Sequence, residues 1–242
     1  MKSPINTYIL FSNFETDRQL TVKLLKDNFQ NHTIVSSIYP TKIHVPFIND
    51  LMEKSQSRTG KALSLSEIGC LLGHRKIWQE IIKQDSDEST HFLILESDSK
   101  INDIKELNDH FSTFTQPYDI FFWGAWEGNA RIKRSTILFE NNNRIVGEPL
   151  IKSIYCTYGY SINKKAARYL LSKTRKISYP VDMFKHFINP NELKIGAIRK
   201  ELISTWRNLK SYIRTNNLLS TIKRFCIVTL FDCRNSIQAY FS

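Results

Sequence analysis

Phe92-Leu93-Ile94-Leu95-Glu96-Ser97-Asp98 is the stretch on which the reading of the fold turns. Four consecutive apolar residues leave no polar face, so the run reads as a strand buried on both sides. It stops on two acids, Glu96 and Asp98, two positions apart. In open α/β sheets, ligands bind beyond the carboxyl ends of the strands, which is where these acids fall. If strand geometry continues through Ser97, both carboxylates point the same way. Carboxylates suit hard cations such as Mg2+ or Mn2+. The competing reading is a pair of solvated acids at a strand end, and spacing by itself does not remove it.

Upstream, Ser64 to Gln84 reads as the clearest helix, with Ile68, Leu71, Leu72, Trp78, Ile81 and Ile82 on one face. Ser64 and Glu67 form an S-x-x-E capping box at its start. Nearer the beginning, a strand (Ile5 to Phe11), a helix (Thr16 to Phe29, apolar at Leu20, Leu24 and Leu25) and a strand (Thr33 to Ile38) follow one another. That order favours an α/β fold with a mostly parallel central sheet. Pro40 to Lys61 is polar and irregular and reads as a loop region. Downstream come a helix around Ile104 to Phe114, a buried strand Tyr118 to Trp123, and a turn at Asn141-Asn142-Asn143 between two short strands. A strand Ile154 to Ile162 then leads to a helix Lys164 to Ser172, capped by Asn163.

The chain has 242 residues and a net charge of +11, which points to an anionic partner without choosing among nucleic acid, membrane surface and phosphorylated substrate. Its four cysteines, Cys70, Cys156, Cys226 and Cys233, form neither a disulfide framework nor a zinc pattern, which suits reduced thiols in the cytosol. Tyr8 to Phe11 is too short for a signal-peptide core, and no run approaches the roughly 20 apolar residues of a spanning helix. The expectation is a cytoplasmic protein. Its composition changes near residue 198. Between Arg199 and Arg234 there are eight Lys/Arg and two acids. Leu202, Trp206, Leu209 and Ile213, then Leu219, Ile222, Cys226 and Leu230, recur at helical spacing. The division expected is a domain over 1–198 and a basic amphipathic helical tail over 199–242.

Several of these pieces together resemble glycosyltransferase family 25, the lipo-oligosaccharide galactosyl- and glucosyltransferases. The run Leu63-Ser64-Leu65-Ser66-Glu67-Ile68-Gly69-Cys70-Leu71-Leu72-Gly73-His74, then Trp78, is similar to the family's "L-x-x-G-E-I-G-C-x-x-S-H-x-x-x-W". The strand ending Glu96-Ser97-Asp98 is similar to an apolar strand ending E-D-D. Asp17-Arg18, the segment Tyr158-Gly159-Tyr160-Ser161-Ile162 with Ala166 and Leu170, and Pro180-Val181-Asp182 follow in the family's order. The resemblance implies a GT-A-like nucleotide-sugar fold, a UDP-hexose donor, inversion at the anomeric carbon, and Mn2+ or Mg2+ held through the acidic motif. Asp98 is the first ligand candidate and Glu96 the second. Two positions depart from the pattern: Ser97 replaces the middle acid, and Gly73 replaces the serine before His74.

The resemblance also assigns Arg18, Glu67, Cys70, His74, Glu96 and Ser97 to the donor site. The residues alone read more plainly. Glu67 is explained by its cap, Cys70 as a small buried side chain, and His74 as a satisfied histidine. Arg18 offers a planar fork suited to phosphate, or is a helix-surface arginine. An inverting transfer needs a base for the acceptor hydroxyl. Asp182 is the first candidate and Glu127 the second, in the loop Trp123-Gly124-Ala125-Trp126-Glu127-Gly128, where Trp126 has a sugar face to lie against and Trp123 belongs to the core. The function expected is transfer of a hexose, galactose first and glucose as the near alternative, to a lipid-linked oligosaccharide acceptor. The tail then has an anionic membrane surface as partner, on the inner face of the cytoplasmic membrane. Packing on the domain is the plainer reading of that tail. Nucleic acid is not expected, because no helix-turn-helix, zinc or RNP pattern is present. The rival is a non-catalytic relative that binds saccharide or nucleotide, which Ser97 motivates.

Overall fold

A computed structural model describes residues 2–42, 47–125, 130–141, 144–206 and 233–242. In chain order the elements are β1 (Thr7–Phe11), a 3-10 turn (Thr16–Arg18), α1 (Gln19–Asn28), β2 (His32–Ser36), α2 (Ile48–Thr59), α3 (Leu65–Lys83), β3 (Phe92–Glu96) and β4 (Ser99–Ile101). There follow α4 (Ile104–Thr115), β5 (Ile120–Phe122), β6 (Phe139–Glu140), β7 (Ile145–Gly147), β8 (Gly159–Ile162), α5 (Lys164–Lys173), β9 (Ile195–Arg199) and β10 (Ile203–Thr205).

The main sheet has the order β2-β1-β3-β8-β5-β9-β7-β6. β1 pairs in parallel with both β2 and β3, and β5 with β9. β8 lies antiparallel between β3 and β5, and β7 antiparallel between β9 and β6. The sheet is thus mixed, with β1, β2, β3, β5, β6 and β9 sharing one direction and β7 and β8 opposed. The alternation of strand side chains explains why β3 is apolar throughout. Phe92 and Ile94 face a core made with α3 and α5, whereas Leu93 and Leu95 face a second core made with α1 and α4. A sheet covered by helices on both faces is the α/β arrangement expected from the sequence.

Local chemistry fixes the ends of the helices. The α3 capping box forms in full: Ser64 N–H and Oγ–H both donate to Glu67 Oε2 at 2.8 Å, and Glu67 N–H donates to Ser64 Oγ at 3.2 Å. Asn163 Oδ1 accepts from Ala166 N–H at 2.9 Å and opens α5. Between β6 and β7, Asn141 Oδ1 accepts from Arg144 N–H at 2.8 Å.

Four local expectations are corrected. The segment 16–29 opens with a 3-10 turn, and the buried stripe of α1 is Val22 and Leu25 with Phe29 beyond it. A helix buries one face, so Leu20 and Leu24 point outward at 69% and 47% exposure. The region 40–61 is not all loop: α2 forms there and ends on Gly60, whose left-handed φ of 78° and N–H to Gln56 O close the last turn. Its one buried side-chain anchor is polar, Ser55, whose Oγ accepts from Leu63 N–H. At the acids, β3 stops on Glu96, so Ser97 and Asp98 turn and the two carboxylates do not share a strand direction. Leu202 to Trp206 is not the first turn of a tail helix either. β9 runs through residue 198, and β10 pairs antiparallel with β4.

Leu209, Ile213, Leu219, Ile222, Cys226 and Leu230, which carry the rest of the tail expectation, lie outside the described residues. Among the described residues, no helix is long and apolar enough to cross a membrane.

Candidate functional site

Half of the site grows from α3 and β8. His74 and Trp78, one turn apart on α3, are fully buried and face Tyr160 at the middle of β8. Trp78 Nε1–H can only donate, and it donates to Tyr160 Oη at 2.9 Å. The tyrosine proton is then directed at His74 Nδ1, 2.9 Å away. This assigns the tautomer: Nε2 keeps its hydrogen and donates to Glu96 Oε1 at 3.2 Å. Thr157 donates to the same oxygen. Burial pushes the Tyr160 hydroxyl well up, so it stays protonated. Burial also pushes Glu96 up, but the His74 and Thr157 bonds and the Arg18 charge outweigh it, leaving its carboxyl below the usual value.

The other half comes from the loop after β1. Arg18 is buried and donates from Nη1 to Ser97 Oγ at 2.8 Å, while Nη2 lies 3.2 Å from Asp98 Oδ2. Ser97 Oγ in turn donates to Glu15 Oε2. Tyr39 Oη donates to Glu15 Oε1 at 2.6 Å. Asp98 is pushed up to about 6 by burial and by the Glu96 charge, with Arg18 pulling it back. Its Oδ1 is buried with no hydrogen-bond partner among the described residues. The turn is braced from behind: Glu96 N–H donates to Ser99 Oγ at 2.9 Å, and Trp206 N–H donates to Asp98 O at 3.1 Å.

Fit to a divalent cation can be judged from these bonds. Cys70, His74 and Glu96 bring ligand atoms within 4.8 Å of one another. His74, however, has both ring nitrogens engaged, and burial holds the Cys70 thiol well up. As folded, His74 and Glu96 are a hydrogen-bonded pair beside a protonated thiol, and not a ready ligand set. The oxygens left open are harder donors. Both side-chain bonds to Glu96 fall on Oε1, which leaves Oε2, and Asp98 Oδ1 is unpartnered among the described residues. Two neighbouring carboxylates, one driven toward its protonated form by the other, fit an oxygen-seeking cation.

The sequence-derived candidates divide as follows. Glu96 with His74, and Asp98 with Ser97 and Arg18, form two bonded groups that adjoin through the chain at Glu96-Ser97. Arg18 is not a helix-surface residue. Glu67 Oε2 is committed to the cap of α3. Burial pushes the Cys70 thiol up, and the charges of Glu96, Asp182, Asp98 and Glu15 push the same way. Cys156 is raised first by burial, with the charges of Glu201, Glu96 and Asp182 pushing the same way; Asp182 itself lies half-buried in the turn after Pro180. Trp123 is core, donating from Nε1 to Ser161 Oγ at 3.0 Å. Glu127 and Trp126 lie outside the described residues. Gly73 sits where a Cβ would press on the Leu10 side chain, so the missing serine coincides with close packing of α3 on β1. Glu15, Tyr39, Thr157 and Tyr160 were not read as site residues. Thr157 and Tyr160 both fall in the strand expected over 154–162, of which 159–162 forms β8, and only Tyr160 lies in the run 158–162 that carries the resemblance.

A cleft of about 240 Å³ between α1, β4 and Trp206 is lined by Leu24, Leu25, Ser99, Ile101 and their neighbours. None of Cys70, His74, Glu96 or Asp98 lines it. It touches the acid turn only from behind, through Ser99 and Trp206.

The profile of a family described as "Glycosyltransferase family 25 (LPS biosynthesis protein)" matches residues 9–185. No curated protein matches the chain. Among solved structures, mouse xyloside xylosyltransferase 1 in its apo form is similar over 76% of this chain and 80% of its own, at 12% identity and a TM-score of 0.33. A likeness that remote carries no argument. The matched span 9–185 contains every residue of the acid cluster, from Glu15 to Tyr160.

Proposed function

Since the chain belongs to glycosyltransferase family 25, and is thereby a transferase of lipopolysaccharide biosynthesis, we propose that it moves a hexose from a UDP-sugar to a hydroxyl of a growing lipo-oligosaccharide, with inversion. Galactose is the first choice of sugar and glucose the alternative. The observation that carries the reading is the Asp98 Oδ1, buried and without a hydrogen-bond partner among the described residues, beside Glu96 at the carboxyl end of a buried strand. Asp98 and Glu96 would hold Mn2+ or Mg2+, which when bound supplies positive charge against the departing nucleoside diphosphate.

The chain's own residues do the rest. Trp78, Tyr160 and His74 hold Glu96 Oε1 in one orientation, so the carboxylate needs no rearrangement on binding. Arg18 holds Asp98 by Oδ2 and leaves Oδ1 open. Asp182 takes the proton from the acceptor hydroxyl as the new bond from that oxygen to the anomeric carbon forms and the bond to the diphosphate oxygen breaks. A lipid-linked acceptor sets this reaction at a membrane, and a net charge of +11 suits an anionic surface there.

The test is UDP release from UDP-galactose and UDP-glucose, with and without Mn2+, by the parent, Asp98→Asn and Asp182→Asn. The parent is expected to release UDP only with metal, and each variant to lose roughly 100-fold or more in kcat. Equal release by Asp98→Asn would remove that carboxylate from the mechanism. No release by the parent under any metal would favour a saccharide- or nucleotide-binding relative without turnover, the reading Ser97 motivates.

A further inference from the structure

Ser97 is 2% exposed and Glu15 is 3% exposed, and the two meet across 82 residues of sequence. The serine hydroxyl does two things at once: it accepts from Arg18 Nη1 and donates to Glu15 Oε2. A carboxylate at 97 would still accept from Arg18 but has no proton for Glu15. Its carbon would fall near the present Oγ, with oxygens projecting about 1.2 Å further, into the space of Glu15 Oε2. Two buried carboxylates cannot share that spot without one of them taking up a proton. Position 97 therefore has room for an acid, or for a serine with an acid delivered from elsewhere, but not for both.

Glu15 is built to be that delivered acid. Its N–H donates to Ser12 O at 2.9 Å, and its carbonyl accepts from Arg18 N–H at 3.0 Å, which closes the loop onto the arginine. Tyr39 fixes the other carboxylate oxygen. Arg18 Nη1 lies 3.9 Å from Glu15 Oε2, and its Nη2 reaches Asp98.

We infer that Glu15 takes, in space, the place of the acid that the β3 turn lacks at Ser97, and that through Ser97 and Arg18 it positions Asp98. Glu15 is a positioning residue; it acts on the proposed metal ligand through the guanidinium. The inference deepens the metal-dependent reading above and rests on it for its functional half.

An exchange of the two positions tests it: parent, Glu15→Ser, Ser97→Asp and the double variant, each followed by Mn2+ affinity from the free-Mn2+ EPR signal, with and without UDP, and by Tm. Ser97→Asp is expected to lower Tm by several degrees, and the double variant to recover most of that loss. Glu15→Ser is expected to weaken Mn2+ about tenfold, as loss of an outer partner does, and the double variant to restore it. If Glu15→Ser does not fold, Glu15→Gln takes its place, with Glu15→Asp as the variant expected to rescue. Unchanged Mn2+ affinity in Glu15→Ser overturns the inference, as do Tm changes that simply add. If the parent itself binds no Mn2+, the metal-dependent reading fails on its own, and the Tm cycle still decides whether positions 15 and 97 exchange roles.

Discussion

One hydroxyl, that of Tyr160, serves two buried partners, Trp78 Nε1 and His74 Nδ1. Tyr160→Phe leaves both without it inside the core, at a cost of about 1–3 kcal/mol that a urea or thermal melt will register. It also removes the bond that fixes the His74 ring on the side away from Glu96, leaving the imidazole, and the carboxylate it holds, less firmly oriented. A fall in kcat larger than the stability loss alone accounts for is therefore expected; an unchanged kcat would show that orienting Glu96 is unnecessary. Residues of this kind differ in how readable they were. Glu96 and Asp98 stood out because acids at the end of an apolar run are a local pattern. The capping role of Glu67 was equally local, three residues from Ser64. Glu15 and Tyr39 carried no such mark, because what matters about them is a contact that only the folded sheet creates. The tautomer of His74 was likewise set by a tyrosine 86 positions away.

Among the elements, α3 carries the most of the site, and its packing depends on small residues. A Cβ at Gly69 would run into the Ile38 carbonyl and the Pro40 ring, where backbone cannot give way cheaply. Gly69→Ala is expected to destabilise the fold by about 1–3 kcal/mol or more, despite the better helix propensity of alanine. Gly60→Ala makes the useful comparison. Open space surrounds that Cβ, so its cost, about 1–2 kcal/mol, comes from the left-handed φ of 78° alone. Equal Tm values for parent and Gly69→Ala would mean that α3 can lift away from the end of β2. The same contrast explains which elements the sequence disclosed. α3 has 19 residues, a full capping box and a clear apolar face. α2 packs Ile48, Leu51 and Met52 only partly buried against the core and fully buries just Ser55, a short stripe that the polar residues Asn49, Asp50, Glu53 and Lys54 around it obscure. β9 holds Gly196 and Ala197 in its centre, and β10 has three residues, too short a run for period-two alternation to show.

For the molecule as a whole, the sheet acts as one body because β8 is wedged between β3 and β5, and a histidine marks that seam. His91, just before β3, has its Nε2–H bonded to Tyr118 O at 2.9 Å, just before β5, while its Nδ1 is buried without a partner among the described residues. Burial drives its pKa down to about 4, against the pull of that bond and of Asp119. The folded state thus disfavours the proton that the unfolded chain accepts near pH 6.5. The stability contributed is fully present above about pH 6.5 and is lost as the pH falls toward 4, by up to about 3 kcal/mol. His91→Gln should flatten the pH dependence of unfolding across that window; an identical slope would assign acid sensitivity to other groups. The α/β class was legible at this scale from the opening strand–helix–strand and from β3. The antiparallel insertion of β8 was not, since hydrophobic pattern reports burial and is silent on direction.

Trp206, last residue before a stretch rich in lysine and arginine, is pinned by its amide to the very peptide that bears Asp98. Beyond that pin the β10–β4 ladder runs straight back into the same turn. Traction on the following residues, whether exerted by lipid, by another macromolecule or by a fused reporter, would arrive at the acid with little slack in between. Trp206 is in that sense a lever whose short arm is the carboxylate.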